Sequence, residues 1–259
     1  MNEALKFAGK VVLVTGASRG IGAEIARSFA REGATVVINY LSNHEAAQAV
    51  AAQCQQLGGD AWAVQADVGS PEAVLQMINA IVEEAGHLDV VVNNALRHYT
   101  FNPRKRTVFD ELNWQEYTTQ FEGAVGAVFN VCRAALPHFK QRAQGCFINL
   151  SSNLVEDPVV PYHDYTTAKA ALVAFSRNLA SELGPFGIRV NCVAPGLVYP
   201  TDSSRDTQES FRDSLIAATP LRRLAQPADV AGPVLFLASD WSGFMTGQVL
   251  FVDGGLVMR

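Results

Sequence analysis

A chain of 259 residues with 49% hydrophobic and 17% charged residues has the composition of a soluble globular protein with a well-filled interior, long enough for one α/β domain or two small ones, which excludes disorder. A formal net charge of −5 argues against a general nucleic-acid or anionic-membrane binder, because the summed field repels polyanions. The opening MNEALKFAGK has no apolar run of signal length, and no stretch approaches the roughly 20 apolar residues of a membrane helix, so a cytoplasmic protein is expected.

In chain order, short β-branched runs at 11–14, 35–38, 61–65, 90–92, 146–150, 189–193 and 249–252 predict strands, each separated from the next by enough residues for a helix. Apolar strands alternating with helices imply an α/β fold: a Rossmann-like, doubly wound parallel sheet of about seven strands with helices on both faces. No linker or repeat interrupts it, and residues 1–259 are expected to form a single dinucleotide-binding and catalytic domain. Two long loops, near 96–113 and 196–220, follow strand carboxyl ends, where open α/β sheets hold their ligands, and are read as substrate loops.

After the first strand comes Thr15-Gly-Ala-Ser-Arg-Gly-Ile-Gly22, then a helix-like stretch. Strand, glycine turn and helix N-terminus together hold a phosphate, because free backbone N–H groups and the positive end of the dipole face it. Glycines at 16, 20 and 22 remove Cβ atoms that would keep phosphate or helix away. Gly16, Ser18, Arg19, Gly20, Ile21 and Gly22 are therefore candidate cofactor contacts. The second strand region, Ile38-Asn39-Tyr40-Leu41-Ser42, carries no acid to repel a 2′-phosphate, while Arg19 offers a cation and Asn39 and Ser42 offer donors. With Tyr40 beside them, these residues predict NADP(H) over NAD(H).

Tyr165-Thr-Thr-Ala-Lys169 opens a second helix-like run, and residues i and i+4 share a helix face. A nearby ammonium lowers a tyrosine pKa, which suits Tyr165 to general acid–base work. Tyr162 has Thr166 at the equivalent position and lacks that cation. Ser152, thirteen residues before Tyr165 and just past a strand, is the candidate to orient a carbonyl oxygen, with Ser151 as its competitor. The scattered Cys54, Cys132, Cys146 and Cys192 have no metal-ligand spacing and read as packing residues; no metal site is expected.

These motifs, with Asp67-Val68, Asn93-Asn94-Ala95, Asn191-Cys-Val-Ala-Pro-Gly196, Thr246-Gly-Gln and Val252-Asp-Gly-Gly, resemble the short-chain dehydrogenase/reductase family over residues 8–256, most closely its 3-oxoacyl-[acyl-carrier-protein] reductase-like branch. The resemblance implies hydride transfer between a nicotinamide and a carbonyl carbon, with Tyr165 as proton donor, Ser152 orienting the oxygen, and Lys169 acting on Tyr165 and the nicotinamide ribose. It further implies adenine contacts at Asp67 and Val68, cofactor-crevice contacts at Asn94 and Ala95, and carboxamide contacts at Pro195, Gly196 and Val198. The implied substrate is a ketone or acyl thioester, on acyl carrier protein or coenzyme A, reduced by a homotetramer. Another small, sugar-like or polycyclic substrate, or a catalytically weak scaffold, are the alternatives. Two departures stand out. Leu96 replaces the glycine that ends the family's Asn-Asn-Ala-Gly, and ungapped counting back from Ser152 puts Ala124 at the relay asparagine, with Gln120 and Glu122 as nearby polar substitutes. Arg104-Lys105-Arg106, beside the expected substrate entrance, reads either as a site that attracts a phosphopantetheine arm, coenzyme A or an acidic carrier, or as a solvated loop.

Overall fold

The structure, a computed structural model, describes residues 6–96, 99 and 101–258. Seven parallel strands form one sheet in the order β3-β2-β1-β4-β5-β6-β7. The strands are β1 (Val11–Val14), β2 (Thr35–Tyr40), β3 (Ala61–Gln65), β4 (Val90–Asn93), β5 (Gly145–Leu150), β6 (Ile188–Pro195) and β7 (Val249–Val252). All seven apolar runs are strands, and β2 and β6 extend two residues beyond the predicted carboxyl ends.

Alternation along each strand divides the interior in two. On one face Val12, Val14, Val36 and Ile38 meet α1 (Gly20–Arg31), α2 (His44–Gln56) and α8 (Pro227–Ala238). On the other, Val11, Leu13, Val37, Val91 and Phe147 meet α3 (Pro71–Ala85), α5 (Ala127–Arg142) and α6 (His163–Leu183). The remaining helices are α4 (Trp114–Phe121) and α7 (Glu209–Ala218), and a π-helical segment, Glu122–Gly126, joins α4 to α5.

The strand order reverses between β1 and β4, which makes a crevice at their carboxyl ends. Far from it, at the amino end of β4, Asp89 is 4% exposed and accepts the Val11 N–H at 2.9 Å. Lys10, His87 and Arg142 surround its carboxylate at 3.7, 3.1 and 3.2 Å. All four cysteines are buried free thiols, and burial pushes each one's pKa up. No helix among the described residues is long and apolar enough to cross a membrane.

Candidate active site

The crevice has a volume of about 1420 Å³, and its wall carries the glycine turn, Ser152, Tyr165 and Lys169, whereas Arg104, Lys105 and Arg106 lie outside its lining. At its floor, Gly16 and Gly20 take positive φ, +61° and +58°. A Cβ on Gly16 would lie 2.8 Å from Ala95 Cα, and one on Gly22 would lie 2.5 Å from Asn94 Nδ2, so both glycines allow the turn to seat against the strand β4 exit. At Gly20 a Cβ would meet nothing within 4 Å: it faces open space. This is the cradle a pyrophosphate needs, and the donor set around it fits a dinucleotide.

Thr15 organises the same floor. Its hydroxyl accepts the N–H groups of Asn94 and Ala95, both at 3.0 Å, and Asn94 Nδ2 donates to the Thr15 and Gly16 carbonyls at 2.9 and 3.1 Å. Asp67 Oδ1 accepts the Gly69 N–H at 2.8 Å, and Asn130 Nδ2, from α5, donates to Val68 O at 3.1 Å, fixing the turn after β3. Asn130 and the structural role of Thr15 escaped sequence reading, since neither falls in an isolated motif.

One expected role is corrected here. Asn39 is 2% exposed; its oxygen accepts the Gly16 N–H at 3.2 Å and its amide donates to Ala66 O at 3.0 Å. Its donors are spent bracing the glycine turn against the end of β3, so they do not extend into the crevice.

At the other end α6 carries Tyr165 and Lys169 on one face, with Lys169 Nζ 5.8 Å from the Tyr165 ring centroid. A buried polar line seats this helix: Asn93 Nδ2 donates to Asn149 Oδ1 at 2.8 Å, and Asn149 Nδ2 to Ser176 Oγ at 2.8 Å. It spans β4, β5 and α6. The choice between the serines follows from partners, because Ser151 Oγ donates to Lys169 O at 3.3 Å whereas Ser152 hydrogen-bonds the Tyr165 side chain and lowers its pKa. Asn153, next in line, donates to Asp253 Oδ2 at 3.2 Å, so the chain's Val-Asp-Gly-Gly ending braces this corner.

The electrostatics differ from expectation. Tyr165 is pushed up to about 12 because burial outweighs the Ser152 hydrogen bond. Lys169, 5% exposed, falls to about 8 through burial, and its Nζ donates to Leu150 O at 2.6 Å. The expected depression of Tyr165 by Lys169 is not realised in this arrangement: the ammonium is engaged with the β5 carbonyl, and desolvation dominates the phenol.

Above these groups lies a cluster the sequence did not reveal. The Tyr165 ring packs at 5.0 Å from Tyr99 and 5.1 Å edge-on to Phe101, with Tyr162 beside both. Tyr99 OH donates to Asp164 Oδ1 at 3.1 Å, tying the loop after β4 to the first turn of α6. Leu96, Leu154 and Phe211 complete the apolar wall, so the leucine in place of glycine turns into this cluster. Phe101 N–H donates to Ser203 O at 3.1 Å and Thr207 Oγ1 to Phe101 O at 3.1 Å, which joins the two long loops. Ala124 is buried within the π-helical segment, Gln120 is buried beside it, and the exposed Glu122 lines the crevice.

A reversed parallel sheet with a glycine turn at its switch point and a Ser-Tyr-Lys cluster beside it defines a nicotinamide-dependent oxidoreductase fold. The family model described as "Enoyl-(Acyl carrier protein) reductase" matches residues 16–257. An uncharacterized oxidoreductase of Methylorubrum extorquens is 41% identical over 97% of this chain and 99% of its own length. The 3-oxoacyl-[acyl-carrier-protein] reductase of Staphylococcus aureus is 35% identical over 96% and 98%, and 3beta-hydroxysteroid dehydrogenase 1 of Eggerthella lenta is 37% identical over 96% and 94%. Among solved structures, the NADH-dependent reductase A1-R′ responsible for alginate metabolism superposes with a TM-score of 0.86 at 26% identity, covering 98% of this chain and 99% of that one. The chain belongs to the short-chain dehydrogenase/reductase family and is an oxidoreductase that uses a nicotinamide cofactor.

Proposed function

We propose that this protein reduces a ketone to a secondary alcohol with NADPH, and that the ketone is a 3-oxoacyl thioester or similar β-keto compound. The observation that carries this reading is the buried Tyr165 phenol beside Ser152 at the crevice wall. With a pKa near 12 the phenol holds its proton at neutral pH, the state a donor to a carbonyl oxygen requires. Ser152 orients that oxygen toward Tyr165. Lys169, near 8, retains charge at neutral pH, holds the ribose end of the cofactor and stabilises the phenolate left when Tyr165 gives up its proton. The bound cofactor supplies hydride to the carbonyl carbon.

Gly16, Ser18, Arg19, Gly20, Ile21 and Gly22 hold the pyrophosphate and 2′-phosphate. Tyr40 and Ser42 bound the adenosine, Asp67 and Val68 the adenine, and Asn94 and Ala95 the crevice floor, while Pro195, Gly196 and Val198 meet the carboxamide. The absence of an acid at 38–42 supports NADPH. The 35% identical S. aureus 3-oxoacyl reductase supports the thioester. A cyclic ketone is the second reading, favoured by the aromatic wall of Phe101, Tyr162 and Phe211 and by the hydroxysteroid dehydrogenase relative. The scaffold alternative loses one of its two motives, because Leu96 is accommodated in the apolar wall, while Ala124 keeps the other.

One catalytic unit with both long loops serving substrate, working in the cytoplasm as a homotetramer, completes the reading. Large exposed apolar side chains, Trp114 and Phe121 on α4 and Trp241 and Phe244 before β7, support assembly. The test is NADPH consumption with 3-oxoacyl thioesters, β-keto esters and cyclic ketones in parallel, with NADH as the alternative donor. Turnover of thioesters above the other ketones is expected; a preference for cyclic ketones selects the second reading, and a preference for NADH removes the cofactor assignment.

A further inference from the structure

Arg19, at the tip of the glycine turn, does not extend freely into the crevice. Its guanidinium pairs with Asp202 at 3.0 Å, and both side chains are accessible, at 63% and 44%. Asp202 comes from the loop after β6, so the pair spans the crevice mouth from the cofactor turn to the substrate loop. The same carboxylate, through its other oxygen, is held by Arg205, one helical turn further along that loop. Three charges thus share one site, with Asp202 in the middle.

The sheet order gives this pairing a consequence. The adenosine end of the crevice lies at β2, on one side of the glycine turn, whereas β6 lies three strands away on the other. A guanidinium occupies one position at a time: under the β6 loop with Asp202, or at the β2 end with a 2′-phosphate. Once Arg19 leaves, Asp202 still has Arg205, so the exchange strands no carboxylate without a cation.

Resting on the NADPH reading above, we propose that Asp202 competes with the cofactor's 2′-phosphate for Arg19, and that Arg205 tunes the competition by holding Asp202 when Arg19 departs. Asp202 and Arg205 are then determinants of cofactor selectivity located in the substrate loop, outside the adenosine pocket. NADH, which has no 2′-phosphate, gains nothing by drawing Arg19 away.

The test is equilibrium binding of NADPH and NADH to the full-length protein, followed by fluorescence titration without any ketone. Asp202→Asn is expected to tighten NADPH by about two- to five-fold, the range for release of an exposed ion pair, and to leave NADH unchanged. Arg205→Ala should weaken NADPH by a similar factor, and the double variant should match Asp202→Asn, because Arg205 acts only through Asp202. The gain should shrink as salt is raised. Equal shifts for both cofactors, no shift with Asp202→Asn, or a double variant that binds NADPH more weakly than Asp202→Asn would overturn the proposal. Arg19→Ala separates the two levels. Loss of NADPH preference in that variant, with Asp202→Asn silent, removes the competition and keeps the NADPH reading; an unchanged NADPH to NADH ratio removes both.

Discussion

Burial moves the pKa values of Tyr165 and Lys169 in opposite directions, each toward the neutral form, and both shifts have measurable consequences. Replacing Tyr165 by Phe keeps the ring packing against Tyr99 and Phe101 but removes the transferable proton, so kcat should fall by about 10²- to 10⁴-fold with cofactor affinity retained. Tyr162→Phe should keep the chemistry, since neither Ser152 nor Lys169 is among the groups that shift Tyr162. Lys169 has a folded pKa near 8 against an ordinary 10.5, so between those values the folded chain binds fewer protons than the unfolded chain. Stability due to this residue therefore rises with pH across that window, and the cost of burying the ammonium is fully present below pH 8. Lys169→Met should accordingly raise stability at pH 7 by roughly 1–3 kcal/mol while abolishing turnover, with the gain shrinking toward pH 10. Denaturant melts of both proteins at several pH values measure this, and a variant less stable than the parent at pH 7 would refute it.

The loop after β4 and the strand that precedes it illustrate two separate element-level tasks. Tyr99 fastens the loop to α6 through Asp164, and burial together with that carboxylate raises the Tyr99 pKa, so the phenol stays a donor throughout the working pH range. Tyr99→Phe deletes one hydrogen bond and keeps the ring, which should cost about 0.5–1.5 kcal/mol of stability and raise the ketone KM more than it lowers kcat. Equal loss in both constants would mean that the tether shapes chemistry instead of substrate binding. At the opposite end of β4, Asp89 joins β1, β4 and α5 through Val11, Lys10, His87 and Arg142. Asp89→Ala strands those groups and should destabilise by about 2–4 kcal/mol, yet leave the kinetic constants of the folded fraction intact, because the crevice lies at the other ends of the strands. Thermal melts alongside steady-state rates distinguish the two.

Across the whole molecule, a net charge of −5 makes the cationic stretch Arg104-Lys105-Arg106 a local exception. Among the described residues none of the three cations has a carboxylate within 4 Å, and at the aromatic wall burial pushes the Tyr162 pKa up to about 12 against a smaller opposing pull from Arg106. The field of these charges reaches roughly 8–10 Å at moderate salt, enough to act on a phosphorylated arm at the crevice mouth. Replacing all three by alanine should raise KM for a carrier-linked or coenzyme A substrate more than for a small neutral ketone, with the difference fading as salt rises. Identical effects on both substrates would detach this segment from recognition.

Periodicity alone was enough to place the seven strands, because a parallel sheet covered on both faces demands near-continuous β-branched runs, and Val11–Val14, Ala61–Gln65 and Val249–Val252 stand where those runs stand. The glycine turn and the Tyr165–Lys169 spacing were equally legible, since each is a local backbone requirement written within eight residues. Tertiary structure decided what depends on partners distant in the chain. It chose Ser152 over Ser151 through the side chains each one meets, spent the donors of Asn39 on Ala66, drew Arg19 to Asp202, and put Ala124 in a π-helical segment where counting from Ser152 had expected a relay asparagine. It also reversed the shift foreseen for Tyr165: spacing puts the ammonium on the correct face, but only packing fixes how much water the phenol loses, and desolvation is the larger effect.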